Sequence, residues 1–562
     1  MSKLQPKLIS TVKDYSKEQF FNDVTAGIIV AIIALPLSIA LAIASGVSPE
    51  KGLYTAIVAG FIISLLGGSR VQIGGPTGAF MIIVYGIVVN YGIEGLTIAT
   101  ILAGIIMILM GIMKFGGVIK YIPYPITTGF TSGIALTIFS SQIKDFLGLS
   151  IDSVPVEFLD KWKAYIGAMD TISIQTISIG ILALVIILAW PRVNKKIPGA
   201  LIALIATSVV VQLFDMDVAT IGTKFGEISS DLPEFKTPGF TMDKIKYLIE
   251  PAITIAILGS IESLLSAVVS DGMIGGKHRS NMELIAQGIA NIMSGFFGGI
   301  PATGAIARTV ANIKNGGRTP VAGIVHALTL LFILVIFMPL AKMVPLTSLA
   351  AVLIVVAYNM SEWREFKQLF KSPKSDILVL LITFFVTVLI DLVKAIEIGM
   401  VLSSFLFMKR MGEVTNVNVN DLDASEEDDD GKRIYEENIL NTFDVIKVYE
   451  INGPFFFGAA DKFMAALSEI GDKTNILVLR MRNVPAMDAT ALNAFDRMLD
   501  ICRHRKIKIL VSGINKQPYS VLEKAGLTDI IGEENFFKTV REAVDCAQDC
   551  SEGKNCVDNM AS

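Results

Sequence analysis

The stretch GGPTGAF, Gly74 to Phe80, begins an apolar segment with residues that break or cap helices. GIPATGAIAR, Gly299 to Arg308, does the same far down the chain. Placed in register on Thr-Gly-Ala, Thr77-Gly78-Ala79 lies over Thr303-Gly304-Ala305, an offset of 303 − 77 = 226. The same offset sets ALPLSIALAIASG (34–46) over SIESLLSAVVSDG (260–272), with Gly46 on Gly272 and Pro36 on Glu262. Each half therefore holds a long apolar span with an anomaly at its middle, then a broken span about 40 residues later. An odd number of spans between the copies inverts one relative to the other, and inverted repeats with interrupted helices mark a secondary transporter. The physical reason is electrostatic. A helix that starts at mid-membrane leaves N–H groups unpaired, at several kcal/mol each in hydrocarbon. Two such starts, each carrying roughly half a positive charge, call for an anion between them.

The rest of the chain fits a membrane protein. Of its 562 residues 52% are hydrophobic and 18% charged, and the mean hydropathy of +0.60 is one that soluble domains rarely reach. Apolar segments of spanning or half-spanning length are expected near 24–45, 52–68, 73–90, 95–114, 125–146, 171–190 and 198–214. A second set follows near 251–270, 284–298, 304–314, 320–340, 345–360, 376–394 and 395–410. The expected fold is an all-α membrane domain of about 14 spans in two inverted seven-helix repeats, about 21–215 and 247–412, within a transport domain over 21–412. Lys3, Lys7, Lys13 and Lys17 form a basic segment, residues 1–20, ahead of the first span, which places the N-terminus in the cytoplasm. Nothing there resembles a signal peptide.

Two charges inside apolar segments stand out. Glu262 sits in ILGSIESLLSAVV, where a carboxylate costs on the order of 2.5–3.5 kcal/mol. Gly259 and Ser266 share its helical face. Arg308, four residues after Gly304, sets a fixed cation beside the gap and within reach of Glu262 if the repeats pack together. Sodium wants several oxygens, and Glu262 with Ser266 could begin such a site, but Arg308 would repel it. A proton on Glu262 removes the carboxylate that repels an entering anion, so proton coupling is favoured. His326, alone in VAGIVHALTL, reads as a hydrogen-bonded packing residue.

After the membrane part comes NDLDASEEDDDGKR (420–433), within an expected acidic linker over 413–434. Strand patterns in VIKVYEI, NILVLRM and KIKILVSGI then alternate with helical ones, giving a soluble α/β domain over 435–550 and a tail over 551–562. The four cysteines are Cys502, Cys546, Cys550 and Cys556, and the last three match no strong metal pattern. No metal, cofactor or nucleic-acid site is expected, and no nucleotide-binding loop or triad suggests an enzyme.

GSIESLLSAVVSDGMIGGKHRSNMELIAQGIANIMSGFFGGIPATGAIARTVANI closely resembles the core of bacterial members of the sulfate permease (SulP) family of anion transporters. IGGPTGAF is similar to that family's third-span motif, and NVPAMDATALNAFDRM resembles part of a STAS domain. The resemblance implies core and gate subdomains that move as an elevator, and a homodimer with cytoplasmic STAS domains in the inner (plasma) membrane. It implies an anion between the third and tenth half-helices. By position it nominates Thr77, Gly78 and Ala79 on one side and Ala305, Ile306, Ala307 and Arg308 on the other. Glu262 matches the carboxylate used for cation coupling, and Ser266 a nearby hydroxyl. Thr490 falls where anti-sigma-factor antagonists carry a phosphorylated serine, and Asp488 reads as the cap of its helix.

The expected function is therefore secondary active transport of a small inorganic or carboxylate anion such as sulfate, bicarbonate or a dicarboxylate, by proton symport. Three alternatives stand beside it. The first is a sodium-coupled bicarbonate symporter, although sodium-dependent members lack the arginine found at 308. The second is a nucleobase permease of the same architecture. The third is a channel or sensor that signals through the STAS domain.

Overall fold

The structure is a computed structural model that describes residues 4–11, 15–117, 122–151, 154–194, 197–226, 231–390, 392–420, 445–468, 470 and 474–551. It divides into two units, 1–401 and 402–562.

In the first unit the main helices, in chain order, are α1 (Lys17–Ala44), α2 (Pro49–Leu66), α3 (Gly78–Ile112), α4 (Tyr124–Leu147), α5 (Ile174–Val193), α6 (Gly199–Leu213) and α7 (Met242–Ile274). They continue with α8 (Ser280–Phe296), α9 (Ile306–Lys314), α10 (Pro320–Ala341), α11 (Leu346–Met360) and α12 (Lys374–Leu389), and α13 (Leu392–Val414) runs across the boundary at 401. Gly92, at φ 70°, breaks α3 into two segments, a conformation that glycine adopts at no steric cost. With that break the main helices among the described residues make fourteen segments, seven before the polar passage at 214–241 and seven after it. Among the described residues six helices are long and apolar enough to cross a membrane by length and composition alone. The others are shorter or more polar.

The packing has the twofold pattern of a repeat. The second half of α3 packs between α7 and α8, as α10 packs between α1 and α2. Helix α4 packs on α12, as α11 packs on α5, and the pairs α2–α8 and α4–α11 are their own counterparts. Helices α1–α3 and α7–α10 thus form one group, and α4–α6 with α11 and α12 another. Asp23 of α1 fastens the first group at one end. Its carboxylate accepts bonds from the backbone N–H groups of Arg318 and Thr319 (2.8 and 3.3 Å), the Thr319 hydroxyl (2.6 Å), Gln19 (3.0 Å) and Tyr15 (2.9 Å). Burial, then the Asp23 bond, pushes the Tyr15 phenol up to about 12.

The second unit holds a five-stranded sheet in the order β3 (Asn416–Asn420), β4 (Ile446–Asn452), β5 (Ile476–Arg480), β6 (Lys508–Ser512), β7 (Phe536–Phe537). The β3–β4 pair is antiparallel and the rest parallel. Helices bury one apolar layer on each face. The linker expected over 413–434 begins later than its composition suggests, because Asn416–Asn420 pairs into the sheet. Residues 421–434, like Cys556, lie outside the described residues. Lys462 takes the carbonyls of Gly412, Glu413 and Thr415 (2.8, 3.3 and 2.9 Å), which a helix leaves open at its C-terminal end. Asp488 caps the helix Ala489–Arg505 through Ala491 N–H (2.8 Å), and Thr490 is exposed in its first turn.

Candidate anion site

The two interrupted segments meet. Gly74–Gly75 (β1) and Thr303–Gly304 (β2) form an antiparallel ribbon, with Gly74 opposite Gly304 and Gly75 opposite Thr303. Helix α3 leaves one strand at Thr77 and α9 leaves the other at Ala305. The structural offset is thus 305 − 77 = 228, two residues more than the Thr-Gly-Ala register. Thr303 lies in the ribbon and Ala305 takes the cap position. The corrected offset sets Ser38 over Ser266, Gly60 over Gly288 and Gly67 over Gly295.

Irregular backbone this deep in a membrane protein must find its hydrogen bonds in protein. Here one face of α8 supplies them. Glu283, Gln287, Asn291 and Ser294 are all buried at helical spacing. Asn291 bridges both polar groups of the Ala302 backbone (2.8 Å each), and Ser294 donates to the Ile300 carbonyl (2.7 Å). Glu283 accepts the N–H groups of Gly68 and Ser69 (2.7 and 3.0 Å). From α9, Thr309 accepts Ile73 N–H (3.1 Å) and Asn312 donates to the Val71 carbonyl (2.9 Å). The sequence reading missed this set, although a period of about 3.6 in Glu, Gln, Asn and Ser inside an apolar helix was its available signal.

At the gap, Thr77 Oγ1 donates to Glu262 Oε1 at 2.6 Å and accepts from Ala79 N–H at 3.4 Å. The carboxylate's Oε2 is buried with no hydrogen-bond partner among the described residues. Arg308, 2% exposed, donates through Nη2 to Ser38 Oγ and the Pro76 carbonyl, both at 3.2 Å. Its Nη1 is buried and has no hydrogen-bond partner among the described residues. Glu262 and Arg308 form no ion pair among the described residues; the guanidinium instead bridges α1 and the lead-in to α3. Ser266 Oγ reaches Thr309 Oγ1 at 3.4 Å, and the Gly259 carbonyl accepts from Thr303 Oγ1 at 2.9 Å. Gly78, Ala79, Ile306 and Ala307 line the two helix starts. The first N–H groups of a helix lack intrahelical partners, and Ala305 has no side chain to cap those of α9. A Cβ at Gly78 would lie 2.7 Å from Ile138 Cδ1 and 3.4 Å from Met360 Sδ, so this end faces α4 and α11. His326 departs from its expectation: it is fully buried and neither ring nitrogen has a hydrogen-bond partner among the described residues.

Gly75 permits the arginine's approach, since a Cβ there would fall 2.3 Å from Arg308 Nη1. Gly75→Ala is expected to cost about 1–3 kcal/mol at this contact, roughly 5- to 150-fold in anion affinity. Uptake assays on protein that stays monodisperse in detergent check it.

An inverted helical repeat whose interrupted segments meet around buried polar groups defines a membrane transport protein, not an enzyme. The sequence comparisons agree. The Sulfate permease family matches residues 20–383 and the STAS domain matches 439–543. The protein YvdB of Bacillus subtilis (strain 168) is 42% identical over 530 residues, covering 93% of this chain and 97% of that one. The bicarbonate transporter BicA of Picosynechococcus sp. is 29% identical, covering 93% of this chain and 94% of its own. The solved transmembrane domain of a cyanobacterial BicA superposes with a TM-score of 0.60 at 28% identity, over 69% of this chain and 98% of that one. SLC26A9 shares the fold at a TM-score of 0.85 and 18% identity, over 98% of this chain and 93% of that one. The chain belongs to the sulfate permease family.

Proposed function

We propose that the protein is a secondary active transporter of a small inorganic or carboxylate anion, held between the starts of α3 and α9 and driven by proton symport. The observation that carries this reading is the tied pair of helix starts with Arg308 Nη1 buried and unpartnered beside them. Thr77, Gly78, Ala79, Ala305, Ile306, Ala307 and Arg308 form the anion site in this reading. Glu262 takes the coupling proton, because its single partner is a neutral hydroxyl and its second oxygen is bare. Ser266 supports that helix face. Relatives lend support on substrate: YvdB is provisionally named a sulfate transporter, and BicA is named a bicarbonate transporter.

The two helix groups support an elevator-like exchange of the core, α1–α3 with α7–α10, against the gate. The basic N-terminal segment and the second unit are assigned to the cytoplasm, in a homodimer in the plasma membrane, with the transport domain over 21–412 and the STAS domain from Asn416 to about 550. Thr490 is a candidate regulatory phosphorylation site, since a phosphate there would meet the positive end of its helix.

Uptake of radiolabelled sulfate, bicarbonate, succinate and chloride into proteoliposomes, at two external pH values with and without sodium, tests the reading. Accumulation of one of these against its gradient, stimulated by external acid and indifferent to sodium, is expected. Sodium-dependent uptake would move the assignment to the alternative symporter, and equilibration without accumulation to a channel.

A further inference from the structure

One turn along from the contact between Gly78 and Ile138 lies a cavity of about 300 Å³. Met81 follows Gly78 by one turn on α3, and Ser141 follows Ile138 by one turn on α4, and both residues line the cavity. Its two walls therefore rise from the place where the anion site closes against α4. Three lysines and one carboxylate also line it: Lys144, Lys161, Lys224 and Asp145. Two of the lysines are engaged. Lys224 stands 4.0 Å from Asp145, and Lys144 donates to the Ile151 carbonyl.

Lys161 differs from both. It sits on the short helix Phe158–Gly167, which docks through the Trp162 indole on Ser140 Oγ (3.2 Å) and the buried Tyr165. The residue is only 7% exposed, yet its ammonium has no hydrogen-bond partner among the described residues. Burial pushes its pKa down, with no carboxylate acting against that. An ammonium largely withdrawn from water and left facing a cavity without a protein partner is costly, and packing alone would be served by leucine or methionine. The neighbouring cavity that Lys161 also reaches carries Glu157 and Glu250, which repel anions. On the Lys144–Lys224 side the one carboxylate lining the cavity, Asp145, is offset by Lys224 at 4.0 Å, and three lysines outnumber it.

We propose that this cavity is a second anion site, with Lys161 as its principal cation, at which a small inorganic anion waits before passing between Gly78 and Ile138. Its role as a station for the transported anion rests on the transport reading above; its binding of an anion does not. On the orientation assigned there it opens outward. A negative guest supplies the partner that the Lys161 ammonium lacks, and the flanking lysines widen its capture range.

The test uses the full-length protein and sulfate, bicarbonate and chloride as separate probes, titrated calorimetrically in detergent. Arg308→Met removes the cation of the central site and should leave weak binding of at least one probe. Adding Lys161→Met should weaken that binding about tenfold or more, and Lys161→Arg in the same background should preserve it. In proteoliposomes Lys161→Met alone should raise the KM for external anion with Vmax nearly unchanged, and a fall in Vmax at constant KM would mark a merely structural lysine and overturn the proposal. Binding that vanishes with Arg308→Met alone, or that ignores Lys161→Met, also overturns it. Lysine-dependent binding by a protein that accumulates no anion would leave this site standing and remove the transport reading instead.

Discussion

Arg308→Met is expected to lower anion affinity at the central site by about 1.5–3 kcal/mol, roughly 10- to 150-fold, the range for a hydrogen bond to a charged group. The free Nη1 and the two bonds of Nη2 explain why the effect should be large. Methionine fills the space but offers neither charge nor donors. Arg308→Lys should recover little, because an ammonium cannot hold Ser38 Oγ and the Pro76 carbonyl while keeping a planar donor free for the guest. Initial uptake rates across a range of anion concentrations read this directly. A lysine variant with wild-type affinity would show that only charge matters here and that the fork geometry does not.

Glu262→Gln should abolish the response to a pH gradient while preserving exchange of anion for anion. The amide oxygen can still accept from Thr77, so the helix contact survives the change. What it cannot do is gain and lose a proton. For symport with one proton, each pH unit across the membrane is worth about 1.4 kcal/mol, about tenfold in accumulation. Wild-type vesicles with acid outside should concentrate the anion by that factor, and the glutamine variant should only equilibrate it. Accumulation by the variant that still follows external acid would move the coupling proton elsewhere. Glu283 would then be the next carboxylate to test, although four donors already surround it: Gly68 and Ser69 N–H, Gln287 and Ser263.

Much of this site can be read in the sequence because its chemistry is costly. Glycine, proline and threonine at the head of an apolar segment have few explanations in a membrane, and Glu262 in an otherwise apolar span has fewer. The register was harder. Matching Thr-Gly-Ala to Thr-Gly-Ala aligned letters, whereas the ribbon pairs Thr303 with Gly75 and leaves alanine at the second cap. The partners of the irregular backbone stayed hidden for another reason. Asn291 and Asn312 act on Ala302 and on Val71, and the second of these contacts spans 241 positions. Only the packing of α8 and α9 against the two lead-ins brings such groups together. The start of the second unit was obscured by composition, since Asn416–Asn420 belongs to the sheet but borders the acidic run.

The short ribbon of Gly74–Gly75 and Thr303–Gly304 has one more consequence. Because the cradle's jaws are stitched backbone to backbone, neither can drift without surrendering amide bonds in a dry interior. On the proposed transport reading, their spacing acts as a calliper that keeps its setting throughout the cycle. A guest gauged on entry meets the same measure on departure, so selectivity by size should be equal in both directions of exchange.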